Sequence, residues 1–236
     1  MKLSDCEGGS CMNTYVEKCM LLPEQRSLIV EAIMEGKKQN ESLNSLLPDF
    51  VTNTYKPRMQ YDCVNTYVEE AVKKNPHTQL KVTRKTAGLH PYIVIHDTVR
   101  NVFILVSRLP KYKHIYGPSR YRGDYASANY ARLLEMGAPR DELLGEAPYQ
   151  TSLSLGEEYA PFGIIVSYDG TSDAIYEGAL QPDQMDWIYN EDITESIIAS
   201  AHDVATFVSY NPTDVEPRLK DSANDDIVVK LKDKAD

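Results

Sequence analysis

Apolar residues change their spacing along the chain, and this change predicts the order of its elements. From Pro23 to about residue 33, apolar side chains recur every three or four positions, which indicates an amphipathic helix. A second stretch of this kind lies between Pro57 and Pro76. Proline suits a first helical turn because its missing amide hydrogen would have no partner there. Both helices are expected to cover a sheet.

From residue 80 onward the spacing becomes strand-like. Residues 80–83 alternate, and residues 92–96 and 102–108 are β-branched and aromatic runs. Turn-forming residues occupy 97–101, between the last two runs. This pattern predicts a β-hairpin within a three-stranded meander.

A second hairpin is predicted later in the chain, with strands at 162–168 and 174–180. Gly170 in the connecting turn follows an aspartate and could supply the positive φ that a tight turn needs. Between the two hairpins, residues 124–136 show helical spacing, and Gly137 follows as a typical helix-ending residue.

Together these elements predict an α+β fold in which two β-hairpins form a mainly antiparallel sheet covered by helices. We expect a single domain at residues 21–212. A flexible N-terminal segment at 1–20 precedes it, and a polar, acidic tail at 213–236 follows it. Within these bounds, residues 193–201 read as a short helix and 206–210 as a strand.

Length and composition favour a globular protein. The chain has 236 residues, of which 42% are hydrophobic and 25% charged, as in ordinary domains with a sizeable core. Apolar runs are far shorter than the roughly 18–20 residues that span a bilayer, and no apolar signal core follows Met1. The expectation is a cytoplasmic protein, of a cell or of a virus acting inside one.

The cysteines do not predict a disulfide framework or a metal site. Cys6, Cys11 and Cys19 precede the first predicted helix, and Cys63 lies in the second. Their spacing lacks the paired C-x2-C pattern of zinc knuckles, and four cysteines are few for this length. We expect reduced thiols, no metal and no cofactor.

Charge is distributed unevenly along the chain. The net charge is −10, yet residues 73–122 contain eleven lysines and arginines and one acidic residue, Asp97. The segments on either side are acidic. Such an uneven distribution of charge indicates binding partners and the electric field around the protein, and it does not predict the fold.

Within the basic region, a predicted loop at 108–122 interleaves cations with tyrosines. Cations neutralise phosphates and aromatic rings stack on unpaired bases, so this loop is the candidate for binding nucleic acid or an acidic partner. An alternative is that the loop docks on the acidic C-terminal half of its own chain. The candidate binding residues are Arg108, Lys111, Tyr112, Lys113, Tyr116, Arg120, Tyr121 and Arg122, and the candidate acidic surface consists of Asp183, Asp186, Glu191, Asp192 and Glu195.

Catalytic motifs are weak. A restriction-type nuclease places acids and a lysine on adjacent strands around Mg²⁺, and Asp97 could be the first acid, but the next run, 102–108, contains no acid. The letters Glu35-Gly36-Lys37 fit the rest of the motif but fall at a predicted helix end. No phosphate-binding, dinucleotide-binding or serine-hydrolase motif is present.

Two parts of the chain resemble DUF5986, a domain family of unknown function found in Firmicutes bacteria and their mobile elements. The first part combines residues 82–85, 91–97 and 102–108, and the second combines residues 162–176 and 187–193. The resemblance spans about residues 55–195. It implies a bacterial or phage source and brings no established activity.

These observations lead to three functional hypotheses. The first is a non-enzymatic protein that binds macromolecules, with a protein partner, and that could inhibit a host defence or DNA-processing protein through its acidic surface. The second is a nucleic-acid-binding protein that uses the loop at 108–122. The third is a cryptic metal-dependent nuclease. No membrane partner is expected.

Overall fold

The computed structural model describes residues 12–48, 52, 54–110, 115–140 and 160–196. Contacts divide the chain into two units, Met1–Asp203 and Val204–Asp236, and the second unit lies outside the described residues. The helices are α1 (Met12–Glu17), α2 (Pro23–Ser45), α3 (Lys56–Lys74), α4 (Arg120–Ala126) and α5 (Asn129–Glu135). The strands are β1 (Leu80–Ala87), β2 (His90–Asp97), β3 (Val102–Arg108), β4 (Phe162–Tyr168), β5 (Ile175–Leu180) and β6 (Trp187–Asp192).

One six-stranded sheet contains all the described strands in chain order, β1-β2-β3-β4-β5-β6. Strands β1–β3 form an antiparallel meander, and β4–β6 form another. The meanders join through β3 and β4, which run parallel over seven register pairs. The predicted α+β class is confirmed, but the sheet is mixed and has six strands instead of two hairpins. The first three-stranded meander was predicted, whereas β6 as a third strand beside the second hairpin and the parallel pairing of β3 with β4 were not.

The sheet is covered on both faces. Helices α2 and α3 pack on one face, where Ile33 and Val68 contact alternate strand residues such as Ile95, Ile104 and Ile164. The other face holds a smaller cluster, in which α4 packs on the sheet. Strand β4 is buried at every position, as expected for a central strand covered on both sides.

The described part of the crossover between the two parallel strands contains two short helices where one helix at 124–136 was predicted. That prediction is wrong, because a break after Ala126 lets the two halves serve different faces of the sheet. Ala126 joins the cluster on the α4 face, whereas Tyr130 and Leu133 of α5 join the cluster under α2 and α3. The predicted end at Gly137 is confirmed by its φ of 93°.

Asn129 fixes the crossover to the central strands. Its side-chain amide donates to the carbonyl oxygens of Gly163 and Leu180, at 3.2 and 3.0 Å, and its carbonyl oxygen accepts from the Gly163 amide at 2.7 Å. A Cβ at Gly163 would lie 2.7 Å from the Cβ of Tyr125, so the crossover needs glycine there. The side chain of Asn129 and the absence of a side chain at Gly163 together fix the distance between α4 and the sheet.

The turn between β4 and β5 differs from the prediction. Positive φ values fall at Gly88 and Gly137 among the described glycines, and Gly170 does not need one. The Asp169 carboxylate closes this turn instead by accepting from the backbone amides of Thr171 and Ser172. These hydrogen bonds, with the one from the Thr171 hydroxyl, lower the pKa of Asp169 to about 2.

The predicted flexible segment at 1–20 is described only from residue 12. The described part forms α1, and Val16 and Cys19 are buried in the core. Apolar side chains in α1 and directly after it therefore tie this part of the segment to the core, and it is not loose. Most of the predicted helix at 193–201, the strand at 206–210 and the tail at 213–236 lie outside the described residues.

Among the described helices, none combines the length and the hydropathy needed to cross a lipid bilayer. Helix α2 is the longest, with 23 residues, but charged side chains occur along its whole length.

Asp97 anchors α2 to the turn between β2 and β3. The buried carboxylate accepts from Gln25 Nε2 at 2.9 Å, from Arg100 Nε at 2.8 Å and from the Val99 amide at 3.0 Å. Arg100 also donates to the Met20 carbonyl oxygen at 2.6 Å. Burial raises the pKa of Asp97, but the hydrogen bonds from Gln25 and Arg100 outweigh it and hold the pKa below the ordinary value.

Replacing Asp97 with asparagine should lower the free energy of unfolding by about 3 kcal/mol, because the half-buried Arg100 loses its buried counter-charge. The folded-state pKa is depressed, so the contribution of Asp97 is present above the unfolded-state pKa and is lost as pH falls through the folded-state pKa. The difference between wild type and Asp97→Asn in urea titrations should therefore shrink in acid. An exposed control, Asp183→Asn, should change stability by under about 0.5 kcal/mol. Equal effects of the two variants would contradict the anchoring role.

Candidate functional site

A cavity of about 470 Å³ opens at the end of the sheet where β1 and β3 finish and β2 begins. We call it the tyrosine pocket, because tyrosines from three different elements line it. It is lined by Pro57, Arg58 and Tyr61 of α3, Ala87 of β1, His90, Pro91 and Tyr92 of β2, Arg108 of β3, and Tyr121 of α4. Side chains that are far apart in sequence meet here because α3 and α4 cover opposite faces of the sheet.

Aromatic rings continue from this pocket along the α4 face of the sheet. The Tyr92 and Tyr121 ring centroids lie 5.1 Å apart, and Phe103 lies 5.6 Å from Tyr125. His96 stacks on Phe103 at 4.2 Å with nearly parallel planes. All these rings are half-buried, so each keeps part of its surface open to a ligand.

Cationic groups surround the same rings. Lys85 on β1 donates to the Tyr125 hydroxyl at 3.1 Å, and Arg58 lies 3.5 Å from the His90 ring nitrogen. Arg58 also forms an exposed ion pair with Asp62, one helical turn away. Arg108 differs from these residues, because it is half-buried and forms no ion pair with any residue in the described ranges.

Tyr116 and Arg122, both predicted binding residues, have structural contacts. Tyr116 is 5% exposed, and its hydroxyl donates to the Ser167 hydroxyl at 2.9 Å. Burial raises the pKa of Tyr116 to about 12. The Arg122 guanidinium lies between two rings, 4.8 Å from the centroid of Tyr116 and 4.9 Å from that of Tyr121, and donates to the Gly117 carbonyl oxygen at 2.6 Å.

The remaining predicted binding residues differ in where the structure places them. Arg120 is exposed on the first turn of α4 and has no partner in the part of the chain that the structure describes. Residues 120–122 were expected in a loop, but they begin α4, because the backbone from Ser119 onward hydrogen-bonds as a helix. Lys111, Tyr112 and Lys113 lie outside the described residues.

The predicted acidic surface is exposed at the opposite edge of the sheet. Glu191 and Asp192 end β6, which is the last strand, and Asp183, Asp186 and Glu195 flank it. Glu191 pairs with Arg26 at 3.0 Å, and Asp192 accepts from the Thr194 amide at 2.9 Å. Within residues 108–110, 115–122 and 183–195, no ion pair joins the basic region to these acids.

Neutral contacts connect the two regions instead. The side-chain oxygen Oε1 of Gln184 accepts from the Ser119 amide at 3.0 Å, and the Trp187 ring lies 6.2 Å from Tyr116 in an edge-to-face arrangement. The described part of the basic region therefore packs beside the turn at 183–186 without using the acidic side chains. Internal pairing of the two charged regions stays a prediction only for Lys111 and Lys113.

The charge reversal in the sequence becomes a separation of charge across the sheet. The edge strand β1 exposes Lys81, Arg84 and Lys85 and contains no acid, whereas the edge strand β6 exposes Glu191 and Asp192 and contains no base. Five interstrand spacings of roughly 4.8 Å put the two edges about 24 Å apart. This distance exceeds the Debye length of about 8 Å at physiological ionic strength, so the two fields act separately.

The residues proposed for a nuclease site have other roles. Asp97 accepts hydrogen bonds from the protein, as described above, and Lys37 is buried in the middle of α2, where it donates to Asp173 at 3.3 Å. The sequence prediction of a helix end at Glu35-Gly36-Lys37 is therefore wrong, since α2 continues to Ser45. No cluster of three or more histidines, cysteines or acids suited to a metal occurs in the described ranges.

Two of the cysteines lie within the described residues. Cys19 is buried and Cys63 is half-buried, and both are free thiols. Burial raises the pKa of each thiol. Cys63 lines a second cavity of about 490 Å³ on the far side of Arg58, together with Tyr55, Met59 and Asp62. The Asp62 carboxylate makes this second cavity less suited to an anion than the tyrosine pocket.

Sequence reasoning found two pocket residues, Arg108 and Tyr121, and missed others. The sequence assigned Tyr61 to a helix and Tyr92 to a strand and gave His90 no role, because their positions on separate elements hide their common location. One signal was available: in β2, the alternation places Tyr92 and His96 on the face opposite Ile93 and Ile95. Polar aromatic residues along one face of a strand would have indicated a half-exposed surface.

No family model matches the chain, and no curated protein or solved structure shows detectable similarity to it.

The geometry distinguishes two arginines that the sequence presents as equivalent. Arg122→Ala should lower the free energy of unfolding by about 1–2 kcal/mol, because it removes contacts with two rings and a hydrogen bond to a carbonyl group. Arg120→Ala should change it by under about 0.5 kcal/mol, because its side chain is exposed and has no partner among the described residues. Urea unfolding followed by circular dichroism measures both values. A larger loss for Arg120→Ala would show that the contacts of α4 are misassigned.

Proposed function

We propose that this protein is a non-enzymatic binding protein that takes up single-stranded nucleic acid at the tyrosine pocket. The observation that carries the proposal is the meeting of Tyr61, Tyr92 and Tyr121 with Arg58 and Arg108 around one cavity. Its volume of about 470 Å³ falls within the range of about 300–1,000 Å³ that is common for small-ligand sites. An unpaired base with its sugar and phosphate fits this description.

Stacking supplies the sequence-tolerant part of the proposed interaction. Every base has a π face, so half-exposed tyrosine rings bind unpaired bases without reading their edges. The rings of Phe103 and Tyr125 extend beyond the pocket across the sheet, which offers further surface to neighbouring bases. Duplex nucleic acid keeps its bases stacked on one another and cannot use these rings.

The distribution of charge also favours binding of nucleic acid at the tyrosine pocket. The exposed cations of β1 and the guanidinium of Arg108 lie on the side of the sheet away from the acidic strand β6. At physiological salt, screening separates these cations from the acids of β6. Strand β1 lies five interstrand spacings, about 24 Å, from β6, and Arg108 on β3 lies three spacings, about 14 Å, from it. A net charge of −10 is therefore compatible with a local site for phosphates.

Binding of fluorescent dT20 and U20 oligonucleotides tests this proposal by anisotropy. We expect affinity to fall with increasing salt and to exceed that for a duplex of the same length. Tyr92→Leu and Tyr121→Leu should each weaken binding about tenfold or more, since stacking on one base contributes roughly 1–3 kcal/mol.

Tyr176→Leu is the matched control, because Tyr176 is a half-buried tyrosine on β5, beside Asp192 of the acidic edge strand. Its affinity should equal that of wild type. Absence of binding at low salt, or an equal loss in the control and in the pocket variants, would contradict the proposal.

The acidic edge supports a second proposal, that of a protein partner. Five exposed carboxylates at 183–195 line one side of the sheet, and such a row could occupy the basic groove of a DNA-processing or defence protein.

Carbodiimide cross-linking in the source cell, followed by mass spectrometry, tests this second proposal. Cross-links from Asp183, Asp186 or Glu195 to lysines of one recurring partner are expected, and Asp183→Asn with Asp186→Asn should reduce them severalfold. Cross-links that arise equally from acids elsewhere, such as Glu70, would count against a specific acidic surface.

A further inference from the structure

The two edge strands of the sheet, β1 and β6, differ in charge. Within the described ranges, β1 pairs only with β2, and β6 pairs only with β5. Each edge therefore presents backbone amide and carbonyl groups with which another strand can pair. Strand β1 exposes Lys81, Arg84 and Lys85 and contains no acid, whereas β6 exposes Glu191 and Asp192 and contains no base.

These charges determine which edges can pair. Two copies of β1 side by side would bring cations opposite cations, and two copies of β6 would bring carboxylates opposite carboxylates, which is unfavourable. Charge on an edge strand commonly protects it against pairing with an identical edge. It does not protect the β1 edge of one copy against the β6 edge of another, because their charges are opposite. The two edges of this sheet are therefore complementary to each other and not to themselves.

The topology of the sheet also fits a contact between unlike edges. Strands β1 and β3 run in the same direction, β4 is parallel to β3, and β6 runs in the same direction as β4. A second copy in the same orientation therefore places its β1 parallel to β6 of the first copy. The sheet then continues with matching faces, so that α2 and α3 of both copies cover the same side.

One parallel register joins opposite charges on both faces of the sheet. It puts Glu191 opposite Arg84 on the face that carries α2 and α3, because Glu191 contacts α2 and Arg84 contacts α3. It also puts Asp192 opposite Lys85 on the face that carries α4, where Lys85 contacts α4. A shift of two residues in either direction keeps the faces but places uncharged residues opposite both carboxylates. Two ion pairs therefore specify this register.

The same register brings apolar side chains together. Tyr189 lies opposite Val82, and both are half-buried and pack against the larger core cluster. Their contact removes apolar surface from water and extends this cluster from one copy into the next. The ion pair of Arg84 with Glu69 of its own copy uses Nε, so the terminal nitrogens of this exposed arginine can donate to Glu191 of the other copy.

We propose that copies of this protein associate head to tail, with the β1 edge of one copy paired to the β6 edge of the next. The partner of the acidic edge is then a second copy of the chain, and this inference does not depend on the nucleic-acid function. A contact between unlike edges leaves a free β1 at one end of the assembly and a free β6 at the other. Further copies can therefore add, and the assembly grows beyond a dimer. The contact is weak, because it joins two short strands.

Sedimentation velocity of the full chain, at micromolar to millimolar concentrations, tests this contact. The weight-average mass should rise with concentration and pass that of a dimer. Lys85→Glu and Asp192→Lys should each weaken association about fivefold or more, because an attraction between opposite strands becomes a repulsion.

Exchange of the two charges separates this specific contact from a general effect of charge. The double variant Lys85→Glu with Asp192→Lys keeps the net charge of the wild type and restores opposite charges at the contact, so its association should return to the wild-type level. Glu41→Lys is the matched control, because it makes the same change of net charge as Asp192→Lys at an exposed position on α2. Its association should equal that of the wild type.

A chain that stays monomeric at every concentration would overturn the proposal. So would association that both single variants lose and the folded double variant does not recover, since residues 85 and 192 would then not face each other. If a variant does not fold, amide hydrogen exchange of the wild type decides. Amides of β1 and β6 should become protected as concentration rises, and protection confined to other elements would refute the contact.

Discussion

The parallel pairing of β3 with β4 is the contact on which the rest of the structure depends. Seven consecutive register pairs join Val102–Arg108 to Phe162–Tyr168 in the middle of the sheet. Without them the chain would contain two separate three-stranded meanders. Strands β3 and β4, now central, would then each be an unpaired edge strand. Because parallel neighbours need a long crossover, this pairing also requires α4 and α5 to pass over the sheet, where Asn129 ties them to the central strands.

The same pairing creates the candidate site. It places Arg108 at the carboxyl end of the parallel pair, which is where open sheets commonly bind ligands. It also places α4 across the face opposite α3, so that Tyr121 meets Tyr61 at one end of the sheet. Finally, it puts β1 and β6 at opposite edges, which separates a basic edge from an acidic one. The uneven charge of the sequence thus becomes two surfaces that can bind different partners.

Local patterns predicted much of this fold and little of the site. The strands at 102–108 and 162–168 match their predicted bounds, because β-branched runs between turn residues are strong local signals. The parallel pairing was missed, since more than fifty intervening residues separate the two strands and local spacing carries no information about such partners. In the site, Arg108 and Tyr121 were predicted from the basic loop, whereas Tyr92 was hidden in a strand. Tyr116 and Arg122 were predicted to bind a ligand, but in the structure both contact neighbouring groups of the protein itself. Such packing contacts cannot be predicted from composition.

Mapping the binding surface at residue level tests the central claim that ligands bind where β3 and β4 end. Backbone amide and tyrosine ring signals of the full chain would be followed by NMR during titration with dT20. The account predicts that the largest changes cluster at Tyr61, Tyr92, Arg108 and Tyr121, with little change along β6. Changes centred on β6, or spread evenly over the surface, would contradict it.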